Sequence, residues 1–498
     1  MRHLNLIIFF LLISIISFAQ KKQKKIEIIN ADFTYVNNKL HPDYWRLIGN
    51  VNISHNQTDM FCDSAHYFSE KEKIIAYENV KVKKGDSINI RGDILNYDGE
   101  NKIAIISKNV ILINKENILN SQRLIYNIQK KKISFNSLSE ISKGNQKISA
   151  KKGTYNTINR TYQFNDSVNY YNNNYEIITN NLISDEKNQL TILKGPSEIY
   201  FDNKIVFCEK ANLYEKENRA EFFKNTSLKT DKYILFADSL FFDKNNNNLN
   251  AKNNVLLEDS INNFFIESNN AKYIDVEKKM IFDKSPLLNL VSKEDTIFIK
   301  ANEFHNQEIL KKETLYAFNN VKILNNEIKG KCDSLTFSIS DSLIHMYKKP
   351  LLWIDEYQIS ADSININYYD KTIKKLFLIS NPIIISEQDS SLYNQIKGKY
   401  MEGDFIENKL KNIDVLGNGQ SIYFIKENKE IIGMNYIESS NIYLSFKKNR
   451  IDNINYKKSP YSITTPLKDI IEEKKYLKGF NWKIKEKPDR NGIFNQQL

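Results

Sequence analysis

The chain has 498 residues, 41% hydrophobic and 26% charged, enough to bury a sizeable core and unlike a charge-dominated disordered tail. Only 15 Gly and 8 Pro exclude collagen-like and low-complexity classes, and 28 Tyr beside 28 Phe favour β-structure over an all-helical bundle. Lys and Arg exceed Asp and Glu, 71 to 60, which points to an acidic partner such as phosphate, nucleic acid or an anionic lipid, although the basic residues are scattered rather than gathered in one strip.

At the N-terminus, Met1-Arg2-His3 precedes an apolar run from Leu4 to Ile16 and then Ser17-Phe18-Ala19-Gln20. These are the charged, hydrophobic and small-residue parts of a secretory signal, so residues 1–19 are read as a signal peptide cleaved after Ala19. The run is too short for an ordinary spanning helix, and the mature chain is expected outside the cytoplasm, a compartment the resemblance given below narrows to the periplasm. Residues 20–59 follow as an entry segment containing Tyr44-Trp45-Arg46.

From 60 to 397 the chain repeats. A small residue, position zero, recurs as Cys62, Gly92, Ser121, Ala150, Thr179, Cys208, Ala237, Ser268, Ala301, Cys332 and Ala361, and again at Gly398, with a spacing of about 29 residues. An apolar side chain stands two before it (Ile90, Leu119, Ile266) and often an acid one after (Asp63, Asp93, Glu209, Asp238, Asp362). Apolar residues return at plus three and plus five, at plus twelve and plus fourteen, and at plus eighteen and plus twenty, with a polar turn such as Asp98-Gly99-Glu100-Asn101-Lys102 between the first two pairs. Pairs two apart are the signature of strands with one buried face. Positions minus two and zero differ in parity from plus three and plus five, so an extra residue has to be absorbed between them by a bulge or sharp bend.

Each repeat is therefore read as two bent antiparallel strands, and the fold class as all-β: a stacked antiparallel β-jellyroll, V-shaped and solenoid-like, of roughly 13 repeats. Some 26 strands at about 4.8 Å spacing would make an elongated body on the order of 120 Å long. A small residue at zero lets two sheets converge, and the three Cys are read as small buried hydrophobes. Residues 398–465 are atypical closing repeats. Residues 466–498 form a tail in which Leu467, Ile470, Ile471, Tyr476 and Leu477 suit a short amphipathic helix of two or three turns.

Catalytic motifs are missing: there is no G-x-S-x-G, H-E-x-x-H, P-loop or G-x-G-x-x-G after a strand. The His residues have no metal-ligand spacing, and an acid in every repeat suits a bend-stabilising acceptor of backbone N–H groups better than a catalytic pair. No enzyme activity, cofactor or metal is expected.

The units Arg46-Leu47-Ile48-Gly49-Asn50-Val51, Leu235-Phe236-Ala237-Asp238-Ser239-Leu240 with Phe242, and Ile359-Ser360-Ala361-Asp362-Ser363 resemble the OstA-like family of lipopolysaccharide-transport proteins, the LptA-type periplasmic bridge. Leu416-Gly417-Asn418-Gly419-Gln420-Ser421-Ile422-Tyr423, then Gly433-Met434-Asn435, and Tyr476-Leu477-Lys478-Gly479-Phe480-Asn481-Trp482 with Pro488 are similar to the closing repeats and C-terminal segment of its long members. The resemblance implies a groove whose apolar interior shields the acyl chains of lipid A. It also implies partners in an inner-membrane export complex and an outer-membrane translocon, or end-to-end self-association, and no nucleic acid. On this reading the lipid-facing candidates are Ala65, Tyr67, Leu95, Tyr97, Leu124, Tyr126 and Phe135, then Phe164, Phe222, Leu240, Phe242, Tyr273, Phe282 and Phe337. The alternative is a structural or carbohydrate- or protein-binding extracytoplasmic β-solenoid whose interior stripe is a filled core.

Overall fold

The computed structural model describes residues 25–494 apart from 37–38, 40–42, 86–87, 260, 262, 292–294, 310–311, 370–371, 429 and 449, so the signal-peptide reading lies outside the described residues. Two compact units divide the chain, one ending at Leu190 and the other beginning at Thr191. Both are built almost entirely from antiparallel strands, as the period-two pattern requires.

In the first unit the strands Thr58–Phe68, Lys73–Lys84, Ile88–Asp98 and Ile103–Asn114 pair in sequence order. Lys204–Tyr214, Arg219–Lys229, Ile234–Asp243 and Asn248–Asp259 do the same in the second. Ala65 faces Ala76, Ala76 faces Leu95 and Leu95 faces Ile106, so equivalent repeat positions stack into one apolar stripe. Met60, Ala65, Ile74, Ala76, Val80 and Val82 are no more than 1% exposed. The neighbours between them stay partly or fully exposed, which gives each strand one wet face. Asx turns close the hairpins: Asp98 Oδ1 accepts from Asn101 N at 2.9 Å, and Asp243 Oδ1 from Asn245 N at 3.0 Å.

The parity break has a different origin from the one the spacing suggests. Tyr77 faces Ile94 and Val80 faces Gly92, so Glu78 and Asn79 together oppose the single residue Asp93. The extra residue thus sits on the neighbouring strand, at plus sixteen and plus seventeen, opposite the acid at plus one. Both residues are left-handed, φ 63° and 47°, and the pair recurs as Lys108-Asn109, Lys224-Asn225, Asn253-Asn254, Asn319-Asn320 and Ser380-Asn381. Asn tolerates this region better than other side chains with a Cβ. It also supplies the donor for the acid at plus one. Asn79 Nδ2 donates to Asp63 at 2.6 Å, Asn109 to Asp93 at 2.8 Å, Asn225 to Glu209 at 2.7 Å and Asn254 to Asp238 at 3.0 Å. The acids therefore do stabilise the bend, through Asn side-chain amides rather than backbone N–H groups.

Asn109→Val is expected to cost about 2–3 kcal/mol, roughly 1–2 for a β-branched residue held left-handed and about 1 for the lost hydrogen bond. Asn109→Gly should recover the conformational part and lose only the bond. Urea unfolding of the two variants measures the difference, and equal losses would show that φ is not the cause.

Position zero is small because the strand beside it already occupies the space. A Cβ on Gly92 would lie 2.5 Å from Ile106 Cγ2, and one on Gly398 would lie 2.4 Å from Val415 Cγ1. Cys62, Cys208 and Cys332 are free and buried, and burial pushes each thiol up to about 12. They stay protonated and inert at neutral pH.

The C-terminal tail takes 3-10 turns at Leu467–Asp469 and Glu472–Lys475 in place of two or three α-helical turns. The rest of it adds a 3-10 turn at Ile484–Glu486 and a short α-helix at Arg490–Phe494, farther along than the expected helix, and anchors from the strands hold it in place. Gln395 Nε2 donates to Lys475 O and its Oε1 accepts from Leu477 N, both at 2.8 Å. Gln358 does the same to Asn481 O and Lys483 N, both at 2.6 Å. Farther on, Lys331 pairs with Glu486 at 2.7 Å, Lys300 Nζ donates to Ile493 O at 2.6 Å, and Phe494 meets Phe298 edge-on. The anchors recede along the sequence by about one repeat per step, so the tail straps the outer face of successive strands. Beneath it Leu477 packs with Ile383, Ile385, Ile422, Phe424 and Met434.

Candidate functional site

In alternate strands the left-handed pair bends the chain into two arms, the paired strands follow, and the apolar stripe lies between the arms. At the rim the arm ends are tied by polar tips. His55 Nδ1 and Tyr97 Oη are 2.7 Å apart. Asn114 Nδ2 donates to Tyr155 Oη at 2.9 Å and Asn117 Nδ2 to Tyr162 Oη at 3.1 Å. In the second unit, Glu313 accepts from Lys232 Nζ, Tyr233 Oη and Asn306 Nδ2.

Of the lipid-facing candidates, Ala65, Leu95, Tyr97, Leu124, Leu240 and Phe282 are 0% exposed. Tyr126 and Phe164 are at 1%, and Tyr67, Phe135, Phe222 and Phe337 are also buried. Most are thus covered by their neighbours. Only Phe242 and Tyr273 are half-buried.

Those two line a cavity of 480 Å³, together with Val206, Phe222, Leu235, Leu240 and Leu257. This volume falls in the range of small-molecule sites, about 300–1,000 Å³. Its walls come from three consecutive repeats and from the loop carrying Lys232 and Tyr233, whose contacts to Glu313 close the rim beside it. The cavity therefore brings together Phe222, Leu240, Phe242 and Tyr273; Tyr126 lines a separate cavity in the first unit, and the remaining candidates are buried.

A second cavity, 630 Å³, opens at the rim of the first unit. Lys84, Lys115, Lys131, Lys143 and Arg160 surround it. Sequence reasoning did not single these residues out; their signal was their place in the turns that join the arms. Among the described residues no group of three or more His, Cys, Asp or Glu is arranged to hold a metal ion, and no helix is long and apolar enough to cross a membrane.

The chain is similar in structure to LptH, the LptA-homologous periplasmic component of the conserved lipopolysaccharide transport device from Pseudomonas aeruginosa. The likeness has 9% identity over 28% of this chain and 93% of that one, with a TM-score of 0.21. No curated protein matches it in sequence. The family described as OstA-like protein matches twice in succession, over residues 23–180 and 179–333, spanning more than half of the chain and the repeats whose stacked interior forms both cavities. The chain belongs to the OstA-like protein family.

Proposed function

We propose that the chain is a non-enzymatic carrier of lipopolysaccharide, moving it across the periplasm toward the outer membrane with the acyl chains held between the arms of the repeats. The observation that carries this reading is the apolar cavity at Phe242 and Tyr273, set in a stripe of apolar side chains that continues from repeat to repeat. Apolar surface without a filler is where an acyl chain gains most from leaving water. Family membership and the name of the LptH neighbour agree with such a cargo. An inner-membrane export complex and an outer-membrane translocon, or further copies of the chain, are the partners this role requires.

In-cell photocrosslinking tests it, with the probe placed in turn at Phe242, Tyr273, Tyr97 and Tyr126 and with the exposed turn residues Lys216 and Asn246 as controls. Lipopolysaccharide adducts are expected at Phe242 and Tyr273 and absent at the controls. Adducts at Tyr97 as well would mean that the packed interior opens to let cargo pass, and adducts at Tyr126 would place cargo in the cavity of the first unit. No interior adduct, with the chain folded and exported, would overturn the reading. It would favour a structural β-solenoid that binds carbohydrate or protein, a reading supported by the full burial of Ala65, Leu95 and Tyr97.

A further inference from the structure

The cavity at the rim of the first unit has an unusual charge balance. Five cations, Lys84, Lys115, Lys131, Lys143 and Arg160, face it against two acids, Glu116 and Glu186. Elsewhere in the same unit Lys73, Lys151 and Lys152 have aspartate partners. None of the five has an ion pair among the described residues, and Glu186 instead accepts from the Asn117 amide at 3.0 Å. Burial, with Lys131 and Lys102 adding their charge, holds the Lys84 ammonium below the ordinary lysine range. Like charges collected around a concave space repel one another, and an anion placed among them relieves that cost.

The floor of the cavity is different. Ile88, Tyr126 and Tyr155 line it, all buried. Tyr155 is fixed by its stack on Tyr162, with ring centroids 4.1 Å apart, and by the Asn114 amide. Mostly exposed cations and buried apolar side chains thus line the same cavity. A compact group with two negative charges and several acceptor oxygens satisfies several ammonium and guanidinium donors at once. The apolar floor asks for a ligand whose other end is hydrocarbon.

We propose that this cavity binds the phosphate-bearing head group of an amphiphile whose acyl part lies between the arms. The assignment rests on the carrier reading for the apolar part of the ligand, and on the five cations for the phosphate.

The test is a titration of the full mature chain with diphosphorylated lipid A and with its dephosphorylated counterpart in matched detergent micelles, and separately with inorganic pyrophosphate. The wild type is expected to bind the phosphorylated lipid roughly tenfold or more tightly than the dephosphorylated one, since each charge-assisted hydrogen bond contributes about that factor. The K84Q/K131Q variant should lose this preference and keep its affinity for the dephosphorylated lipid, which also reports that it is folded. The K426Q/K447Q variant, with the same change in net charge at exposed positions in the other unit, should keep the preference. Equal affinity of the wild type for the two lipids, or a preference that survives K84Q/K131Q, overturns the head-group site and leaves the carrier reading standing. Pyrophosphate binding as tightly as the phosphorylated lipid would make this a site for free phosphate and overturn the lipid assignment. Failure of both lipids to bind overturns the carrier reading itself.

Discussion

Phe282→Ala is expected to destabilise the unit beginning at Thr191 by about 3–5 kcal/mol, the range for truncating a fully packed Phe. Phe242→Ala should cost only about 1–2 kcal/mol, since only part of its apolar area is out of water. Both occupy interior positions of the repeat, and the contrast comes from what surrounds them. Phe282 is 0% exposed and faces Ala271 on one neighbouring strand and Phe304 on the other. Removing its ring leaves a hole in a close-packed interior. Phe242 already borders the 480 Å³ cavity and has Phe201 at 6.1 Å between centroids. Its truncation merges new space with old and forfeits few contacts. Function should rank the two in the opposite order. Phe242→Ala should lower amphiphile capture, whereas Phe282→Ala should leave it intact wherever the unit is still folded. Urea unfolding and lipid titration on the same two variants check this. Equal stability losses would mean that the cavity wall is packed like the rest of the interior, and undiminished capture by Phe242→Ala would remove this cavity from the transport path.

The inward face of the repeats was legible because strand side chains alternate with period two, and repetition multiplies a weak local signal. Ile90, Gly92, Leu95 and Tyr97 can be read as one buried row without any coordinates. The bend was legible only in part. Apolar parity records that a residue is inserted, but not on which of two paired strands. The left-handed pair at Glu78-Asn79 is written in the Asn at plus seventeen, a signal of backbone conformation rather than of burial. The cavity was not legible. Phe242 and Phe337 occupy the same repeat position, yet Phe337 is buried whereas Phe242 is half-buried beside a cavity shared among three repeats and the Lys232-Tyr233 loop. The strap left a mark that period-two reading passes over. Leu351-Leu352-Trp353-Ile354 and Ile383-Ile384-Ile385 are unbroken apolar runs, as in strands covered on both faces. Trp353, 1% exposed, belongs to that doubly buried wall.

The double variant Q358L/Q395L is expected to release the tail from residue 475 onward while the strands beneath it stay folded. Each glutamine amide acts as a substitute strand edge, giving one donor and one acceptor to the backbone of the tail. Leucine keeps roughly the volume and removes both bonds, leaving Leu477 N, Lys483 N and two carbonyls without partners. Each group left unsatisfied costs about 1–3 kcal/mol while the tail remains docked, more than the burial of Leu477 can recover at about 1.5–3 kcal/mol. The docked state then loses to an open one in which these groups meet water. Lys474, Lys475, Lys478, Lys483, Lys485 and Arg490 make the opening visible, because limited trypsin treatment samples the exposed population. Cleavage in the tail should accelerate by tenfold or more, with the fragment ending near residue 475 otherwise resistant. The released face bares Ile383, Ile385, Ile422 and Phe424, an apolar patch that should bind a hydrophobic dye and drive association. Unchanged cleavage would mean that Lys331, Lys300 and the Phe298–Phe494 contact hold the strap by themselves. Cleavage spreading into the strands would mean that the tail is an integral layer of the fold, without which the last repeats do not stand.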